Sequence, residues 1–238
     1  MPERKIEEPL FYKSYSIEQK KRLYEALGEL YSDNKRELFE RLSQYRTRHI
    51  AVVLEDIYQA HNASAVLRSC DCFGVQDVHV VEKNNSFNPA GDVAVGSSKW
   101  VDYYKHENIA EAYKHLRSKG YRIVATLPHE NDTMIGDLEL DQPVALVFGT
   151  ELTGLTREAI DGADAYVKIP MYGFTESFNI SVCAALCLFS TTERLRRGSD
   201  IRWQMSEEEL LELKIGWSIQ AIRDGEKVAR KVAESIIG

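Results

Sequence analysis

Short runs of apolar, mostly β-branched residues alternate with helical patterns through the middle of the chain. The runs are IAVVLE, DVHVVE, YRIVAT, PVALVF and AYVKIP, at residues 50–55, 77–82, 121–126, 143–148 and 165–170. Helical spacing of apolar residues covers 62–73, 108–119, 156–163 and 177–197, close to possible N-caps at Asn62, Asn108, Thr156 and Ser177. The alternation predicts an α/β fold in which crossover helices join the strands of a parallel sheet.

More polar helical patterns flank this core on both sides. Residues 17–46 predict two short helices or one bent helix, and residues 206–236 predict a last helical segment interrupted near Asp224-Gly225. We therefore expect an N-terminal helical extension over 1–49, a core over 50–197 and a C-terminal helical extension over 198–238.

The length of 238 residues and an apolar content of 44% suffice for one sizeable core. No stretch approaches the roughly 18–20 apolar residues that a membrane span needs. The first ten residues are charged where a signal peptide would be apolar. The sequence thus predicts a cytoplasmic protein without a membrane partner.

The four cysteines form two close pairs, Cys70 with Cys72 and Cys183 with Cys187, inside apolar helical patterns. Such positions suit small buried thiols in a reducing compartment. The six histidines are scattered and lack the spacing of metal ligands. We predict neither disulfides nor a metal site.

The net charge of −7 would be unusual for a protein that binds nucleic acid, but the charge is unevenly distributed. Acidic residues exceed basic ones between 51 and 189, whereas basic residues are in slight excess over 1–50 and 190–202. Phosphate contacts depend on local basic patches, so both ends of the core could bind RNA. Solvated helix faces explain the same pattern equally well. The candidate RNA contacts are Arg36, Arg41, Arg46, Arg194 and Arg197.

Three segments of the core carry candidate chemistry: HNASAVLRSCDCFG at 61–74, LVFGTELTGLT at 146–156, and IPMYGFTESFNISVCAALCLFS at 169–190. Taken singly, the first is explained by a capped helix and the second by an ordinary strand-to-helix connection, whereas capping explains Ser177 of the third but not Asn179 and Ser181. The second segment follows a strand, where ligands bind in open α/β sheets, yet the chain lacks the dinucleotide and nucleotide-triphosphate fingerprints. In the third, polar residues begin a long apolar helix and offer hydrogen-bonding groups to a ligand.

In this order and spacing, the three segments together resemble the TrmH branch of the SPOUT methyltransferases. The resemblance covers residues 50–197, and its departures, Phe178 for Leu and Ile180 for Val, exchange one apolar residue for another. Motif 1 is matched by Asn62, Arg68, Phe73 and Gly74; motif 2 by Phe148, Gly149, Glu151 and Gly154; and motif 3 by Ile169, Pro170, Met171, Gly173, Ser177, Asn179, Ser181 and Val182.

The resemblance implies a parallel sheet with a deep C-terminal trefoil knot, the SPOUT fold, and a homodimer formed through the knotted core. It also implies methyl transfer from S-adenosylmethionine to a ribose 2′-hydroxyl, with Arg68 assisting loss of the hydroxyl proton or stabilising the alkoxide. The catalytic candidates are Arg68, Asn62, Glu151 and Asn179. The candidates for cofactor binding are Leu127, Gly149, Ile169, Met171, Ser177 and Phe178.

The stretch GSSKWVDYYK at 96–105 resembles the branch that methylates guanosine 18 in the D-loop of tRNA. The short flanking helices also fit that branch, whereas ribosomal relatives usually carry a separate N-terminal RNA-binding domain. We therefore expect tRNA as the partner. Another tRNA or rRNA nucleotide, an inactive RNA-binding protein on the same fold, and a generic flavodoxin-like binding module are the alternatives.

Overall fold

The structure is a computed structural model that describes residues 10–57, 59–82, 99–127, 133–150, 153–198 and 200–237. Its chain divides into two compact units. One comprises Thr47–Trp203, and the other combines Ile6–Arg46 with Gln204–Gly238. The helical flanks on either side of the core therefore belong to one unit.

A parallel sheet forms the centre of the larger unit and confirms the predicted α/β class. Over the described residues its seven strands are β1 Thr47–Glu55, β2 Val75–Val81, β3 Asp102–His106, β4 Arg122–Thr126, β5 Thr133–Met134, β6 Val144–Phe148 and β7 Ala165–Lys168. They follow the order β3-β2-β1-β6-β4-β7-β5, and all of the hydrogen-bonded neighbours run parallel.

Helices cover both faces of this sheet. They are α3 Ala60–Cys72, α4 Ile109–Ser118, α5 Arg157–Asp161 and α6 Ile180–Arg196. Successive strand residues point to opposite faces, so Val52 packs in the cluster that includes α3 and α6, while Val53 packs with α4 and α5. Burial on both faces explains why the strands read as nearly continuous apolar runs.

Two of the predicted helix caps are confirmed. Asn108 accepts a hydrogen bond from the Glu111 N–H at 2.9 Å, and Thr156 accepts one from the Ala159 N–H at 3.2 Å. Each side chain satisfies one of the N–H groups that the first turn of a helix leaves unpaired.

The other two predicted caps are wrong. Helix α3 begins after Gln59, so Asn62 lies in its first turn. Helix α6 begins after Asn179, because the Asn179 side chain accepts the Ser181 N–H at 2.9 Å and fixes the start there. Ser177 consequently lies in the loop before the helix.

The sequence pattern did not predict strand β3, whose residues mix charged and aromatic side chains. The strand is held at its first residue, since Arg48 of β1 donates a hydrogen bond to Asp102 at 2.7 Å and also pairs with Asp77 of β2. Burial opposes the charge of Arg48, but Asp102 raises the pKa of the guanidinium further above its ordinary value. One arginine therefore ties three neighbouring strands together.

A cluster of imidazole rings lies on β2, β3 and α4. His79 and His106 approach within 2.9 Å through their ring nitrogens, Tyr104 stacks on His79, and His115 packs beside both histidines. Burial lowers the pKa of His79 well below its usual value and lowers the pKa of His106 to about 4. Both rings are therefore neutral at physiological pH.

The smaller unit consists of helices. Over the described residues they are α1 Ile17–Gly28, α2 Asp33–Ser43, α7 Glu207–Ala221 and α8 Gly225–Ile237. Lys20 of α1 is completely buried and pairs with Glu208 and Glu212 of α7 at 2.5 and 2.6 Å. Desolvation works against its charge, but the two hydrogen bonds raise the pKa of Lys20, so the ammonium group stays charged.

In the part of the chain that the structure describes, no helix has the length and apolar character needed to cross a membrane. The same residues contain no cluster of three or more His, Cys, Asp or Glu side chains arranged to hold a metal ion.

Candidate active site

A cavity of about 520 Å³ opens at the carboxyl ends of β4, β6 and β7. Its walls come from the ends of these strands, the turn after β6, the loop between β7 and α6, and the first two turns of α6. The carboxyl edge of an open parallel sheet is where α/β proteins bind ligands, and the volume is typical of a small-molecule site.

All six residues that the resemblance implied for cofactor binding line this cavity. They approach it from separate parts of the chain, and most are apolar or glycine, so that the backbone can contact a ligand directly. These residues are Leu127, Gly149, Ile169, Met171, Ser177 and Phe178.

Gly149 is required by the close approach of two backbone segments. Thr150 and Gly154 form a two-way backbone bridge of 3.1 and 3.0 Å, which closes the turn after β6. A Cβ atom on Gly149 would lie 2.2 Å from the carbonyl carbon of Gly154 and 2.4 Å from the nitrogen of Leu155. Only glycine fits at position 149, so the backbone of motif 2 forms this part of the cavity wall without a side chain. Glu151, the catalytic candidate in this turn, lies outside the described residues.

Motifs 1 and 3 meet through an amide pair. Asn179 donates from Nδ2 to Oδ1 of Asn62 at 3.3 Å, across 117 positions in the sequence. Asn62 in turn donates to Gln59, and the Asn179 oxygen accepts from both the N–H and the hydroxyl of Ser181. Asn62 is buried, and this network fixes the orientation of both amides.

Arg68 lies on the exposed side of α3, six residues beyond Asn62, and is not among the described residues that line the cavity. Of the four catalytic candidates, the structure thus brings together Asn62 and Asn179 and leaves Arg68 facing outward. An exposed guanidinium suits contact with a large substrate or with a second protomer better than contact with a bound small molecule.

One of the five predicted RNA contacts, Arg46, is buried, and that prediction is corrected. Arg46 is only 4% exposed, with its guanidinium 5.2 Å from the centre of the Trp217 ring. Arg194 donates to the carbonyl groups of Ile135 and Leu138. Arg46 is therefore closed to a phosphate, whereas Arg194 is half-buried and stays a predicted contact. The remaining three, Arg36, Arg41 and Arg197, lie at the surface, where Arg36 pairs with Glu29 and Arg197 with Glu193.

The sequence analysis missed several residues of the cavity wall. Lys168 at the end of β7 and Glu176 in the following loop add the two charges of opposite sign, while Cys183 and Cys187 add thiols. Helical spacing from Asn179 was a usable signal for the thiols, because positions four and eight residues further along a helix share its face.

The profile of the SpoU rRNA Methylase family matches residues 49–189, which include all three motifs. The chain is similar to the tRNA (guanosine(18)-2′-O)-methyltransferase of Borreliella burgdorferi, at 41% identity over 198 residues that cover 83% of this chain and 90% of that protein. The enzyme of the same name from Thermus thermophilus is 34% identical over 168 residues, which cover 70% of this chain and 87% of that protein.

Solved structures of similar fold agree with these sequence matches. The TrmH/SpoU tRNA modifying enzyme of A. aeolicus superimposes with a TM-score of 0.70 at 28% identity, covering 80% of this chain and 98% of that one. The SpoU methyltransferase AviRb from Streptomyces viridochromogenes, in complex with AdoMet, shares the fold at a TM-score of 0.59 and 21% identity, covering 65% of this chain and 60% of that one. By the extent of the profile match and by its identity to these relatives, the chain belongs to the SpoU rRNA Methylase family.

Proposed function

We propose that this protein transfers a methyl group from S-adenosylmethionine to the ribose 2′-hydroxyl of guanosine 18 in tRNA. The observation that carries the proposal is the cavity at the carboxyl edge of the sheet, whose wall is built by motifs 2 and 3 and which lies beside the amide pair of Asn62 and Asn179. The tRNA specificity follows from the names of relatives that match most of the chain.

The cavity fits S-adenosylmethionine in size and in chemistry. Its largely apolar wall, with Leu127, Ile169 and Phe178, suits the flat faces of an adenine ring, and the backbone near Gly149 can bond the ring edge. The carboxylate of Glu176 suits a positively charged sulfonium. When bound, the cofactor supplies an electrophilic methyl group.

The residues of this chain then orient the acceptor and manage its proton. Asn62 and Asn179, held by their mutual hydrogen bond, fix the polar edge of the site. Glu151 is kept as a catalytic candidate on the resemblance of motif 2. Arg68 orients an RNA phosphate or stabilises the alkoxide that forms as the hydroxyl loses its proton, since a guanidinium is a poor base. Positioning of the two reactants supplies most of the rate enhancement.

We also propose a homodimer formed through the knotted core. Helix α6 carries an exposed apolar stripe, Val182, Leu186 and Phe189, at the spacing of one helix face, and Phe189 packs near Phe73. A continuous apolar stripe of this kind favours a protein partner. In the dimer, the outward-facing Arg68 of one protomer is directed toward the partner's cavity, which accounts for its position outside its own.

The RNA contacts in this proposal include the surface arginines Arg36, Arg41 and Arg197. Their replacement by Gln should weaken tRNA binding and flatten its dependence on salt, because each phosphate contact releases counterions. Cofactor affinity should stay the same. If the dependence of tRNA binding on salt concentration did not change, these three arginines would not be RNA contacts.

The trefoil knot is part of the same proposal, because it is the fold feature that the family resemblance implies. It is supported by the similarity of the fold to the TrmH/SpoU tRNA modifying enzyme of A. aeolicus, at a TM-score of 0.70 over 80% of this chain. Tracing the chain in an experimental structure, with both ends extended, tests whether the path is knotted.

The deciding experiment uses tRNA transcripts and methyl-labelled S-adenosylmethionine, with the methylated nucleotide mapped by mass spectrometry. We expect one methyl group per tRNA at guanosine 18. A matched tRNA with 2′-deoxyguanosine at position 18 lacks the acceptor hydroxyl and should remain unmethylated. Methylation of that tRNA, of another nucleotide or of ribosomal RNA would refute the proposed specificity, and calorimetry showing no cofactor binding would refute the activity.

A further inference from the structure

Two cysteines lie one helical turn apart on α6, and both line the cofactor cavity. Cys187 is buried and Cys183 is half-buried, and both are free thiols. The sequence analysis assigned all four cysteines to packing. Cys183 packs against the core but, unlike Cys187, is partly exposed and lines the cavity wall.

The geometry around Cys183 favours its thiolate form. The residue lies in the first turn of α6, where its N–H donates to the Asn179 carbonyl at 2.9 Å, and the positive end of a helix dipole stabilises a thiolate. A hydrogen bond from the Cys187 thiol lowers the pKa of Cys183 and raises the pKa of Cys187, and burial offsets part of the effect on Cys183. The thiolate is the nucleophilic form of cysteine.

We propose that Cys183 is a covalent modification site inside the cofactor cavity, where soft electrophiles and hydroperoxides react with its thiolate and the adduct excludes S-adenosylmethionine. This goes beyond methyl transfer to RNA, although the exclusion of S-adenosylmethionine rests on the cofactor site of the proposed function. The adduct is held on the wall of the volume that the cofactor occupies, so modified protein should be unable to bind the cofactor.

The chemistry is a simple displacement in both cases. With iodoacetamide, the sulfur lone pair forms a carbon–sulfur bond while the carbon–iodine bond breaks and iodide leaves with the electron pair. With a hydroperoxide, the sulfur attacks one peroxide oxygen, the oxygen–oxygen bond breaks, and hydroxide or alkoxide leaves. The sulfur is oxidised to a sulfenic acid and the peroxide is reduced.

Cys187 acts as a hydrogen-bond donor in this site and not as a resolving thiol. Residues four apart on a helix have Cβ atoms about 5–6 Å apart. A disulfide requires a Cβ separation of about 3.5–4.5 Å. Because both residues lie inside the regular helix α6, closing a disulfide would distort the helix, so oxidation of Cys183 should stop at the sulfenic acid.

The test labels the full-length protein with iodoacetamide at pH 7 and follows each cysteine by peptide mass spectrometry. Exposed Cys72 on α3, outside the cavity lining, serves as the internal reference. We expect Cys183 to react faster than Cys187, and saturating S-adenosylhomocysteine to slow Cys183 at least tenfold without affecting Cys72. An unreactive Cys183 would overturn the proposal, as would equal labelling in a sample that calorimetry shows to be loaded with S-adenosylhomocysteine.

Two variants test the role of the neighbouring thiol. Cys187→Ala should slow the labelling of Cys183 several-fold at pH 7 and move its pH midpoint upward, whereas Cys187→Ser, which keeps a donor, should restore part of the rate. A labelling rate unchanged in Cys187→Ala would refute the assigned hydrogen bond. After peroxide treatment, a dimedone-type probe should tag Cys183, and a Cys183–Cys187 disulfide would instead overturn the donor role.

The outcome is separable from that of the proposed function, because labelling is read by mass and needs neither tRNA nor methyl transfer. If S-adenosylhomocysteine does not bind while Cys183 still reacts rapidly, the cofactor assignment and the exclusion of the cofactor by the adduct both fail, whereas Cys183 stands as a reactive thiol. If the cofactor binds and tRNA is methylated while Cys183 is inert, the modification site fails and the proposed function stands.

Discussion

Replacing Gly149 by alanine should damage the cavity wall, and the structure allows the size of the effect to be worked out. The added Cβ would lie 2.2–2.4 Å from backbone atoms of Gly154 and Leu155, whereas carbon atoms in good contact are about 3.5–4.0 Å apart. Rotation of a side chain cannot relieve this overlap, because the opposing atoms belong to the backbone. The turn closed by the Thr150–Gly154 bridge must therefore move.

Inserting an atom into a packed region costs about 1–3 kcal/mol, and a forced backbone shift places Gly149→Ala at the upper end. For a chain of this length, about 3 kcal/mol corresponds to a fall in Tm of roughly 6–12 °C if the whole unit bears the strain. If only the turn opens, the same energy appears as a loss of cofactor affinity of roughly 100-fold. The loss in stability and the loss in free energy of cofactor binding should together add up to about 3 kcal/mol.

Differential scanning fluorimetry and calorimetric titration with S-adenosylmethionine measure the two quantities. Gly136→Ala is the matched control, since a Cβ at that glycine meets no atom within 4 Å. The control should keep its cofactor affinity and have an unchanged or slightly higher Tm, because alanine restricts the unfolded chain. If Gly149→Ala matches Gly136→Ala in both Tm and affinity, the close approach does not define the cavity wall.

Three further expectations follow from the site and the core. Arg68→Ala should keep the fold and cofactor affinity but lower single-turnover methyl transfer by roughly 10²–10³, and near-normal transfer would refute its electrostatic role. Asn179→Ala should cost about 1 kcal/mol in urea unfolding through the lost cap, whereas Asn179→Asp should keep most of that stability; equal loss in both would contradict the capping role. His79 and His106 have lowered pKa values, so protons bind the unfolded chain preferentially between pH 6.5 and about 4, and stability should fall as the pH decreases through that window. The slope of unfolding free energy against pH should be flatter in His106→Gln, and an unchanged slope would exclude this cluster as its source.

The sequence predicts the sheet well where burial on both faces makes a strand almost wholly apolar, as in β1 and β6. It fails at β3, because Asp102 and Lys105 interrupt the apolar pattern and the strand depends on Arg48 from elsewhere in the chain. Strand order was not predictable either, since crossover connections leave no local pattern.

The site residues also fall into two groups: those that a local motif identifies, and those whose environment depends on distant parts of the chain. Motif residues that use backbone or small side chains, such as Gly149, could be located by resemblance alone. The environment of Arg46 could not, because its burial depends on Trp217, which is supplied by a helix at the other end of the chain. The start of α6 shifted from Ser177 to Asn179 because two polar residues competed for the cap and only the geometry of the loop decides between them.

The ion pairs of Lys20 also constrain how the protein is made on the ribosome. Glu208, the nearer of its two partners in the sequence, is synthesised 188 residues later, a delay of roughly 10–40 s at ordinary elongation rates. Until then, α1 cannot bury its ammonium group without leaving it uncompensated. The N-terminal helices must therefore wait for the last part of the message, whereas the sheet can be completed earlier. A nascent chain that lacks α7 would therefore carry the complete sheet together with N-terminal helices whose buried lysine has no partner.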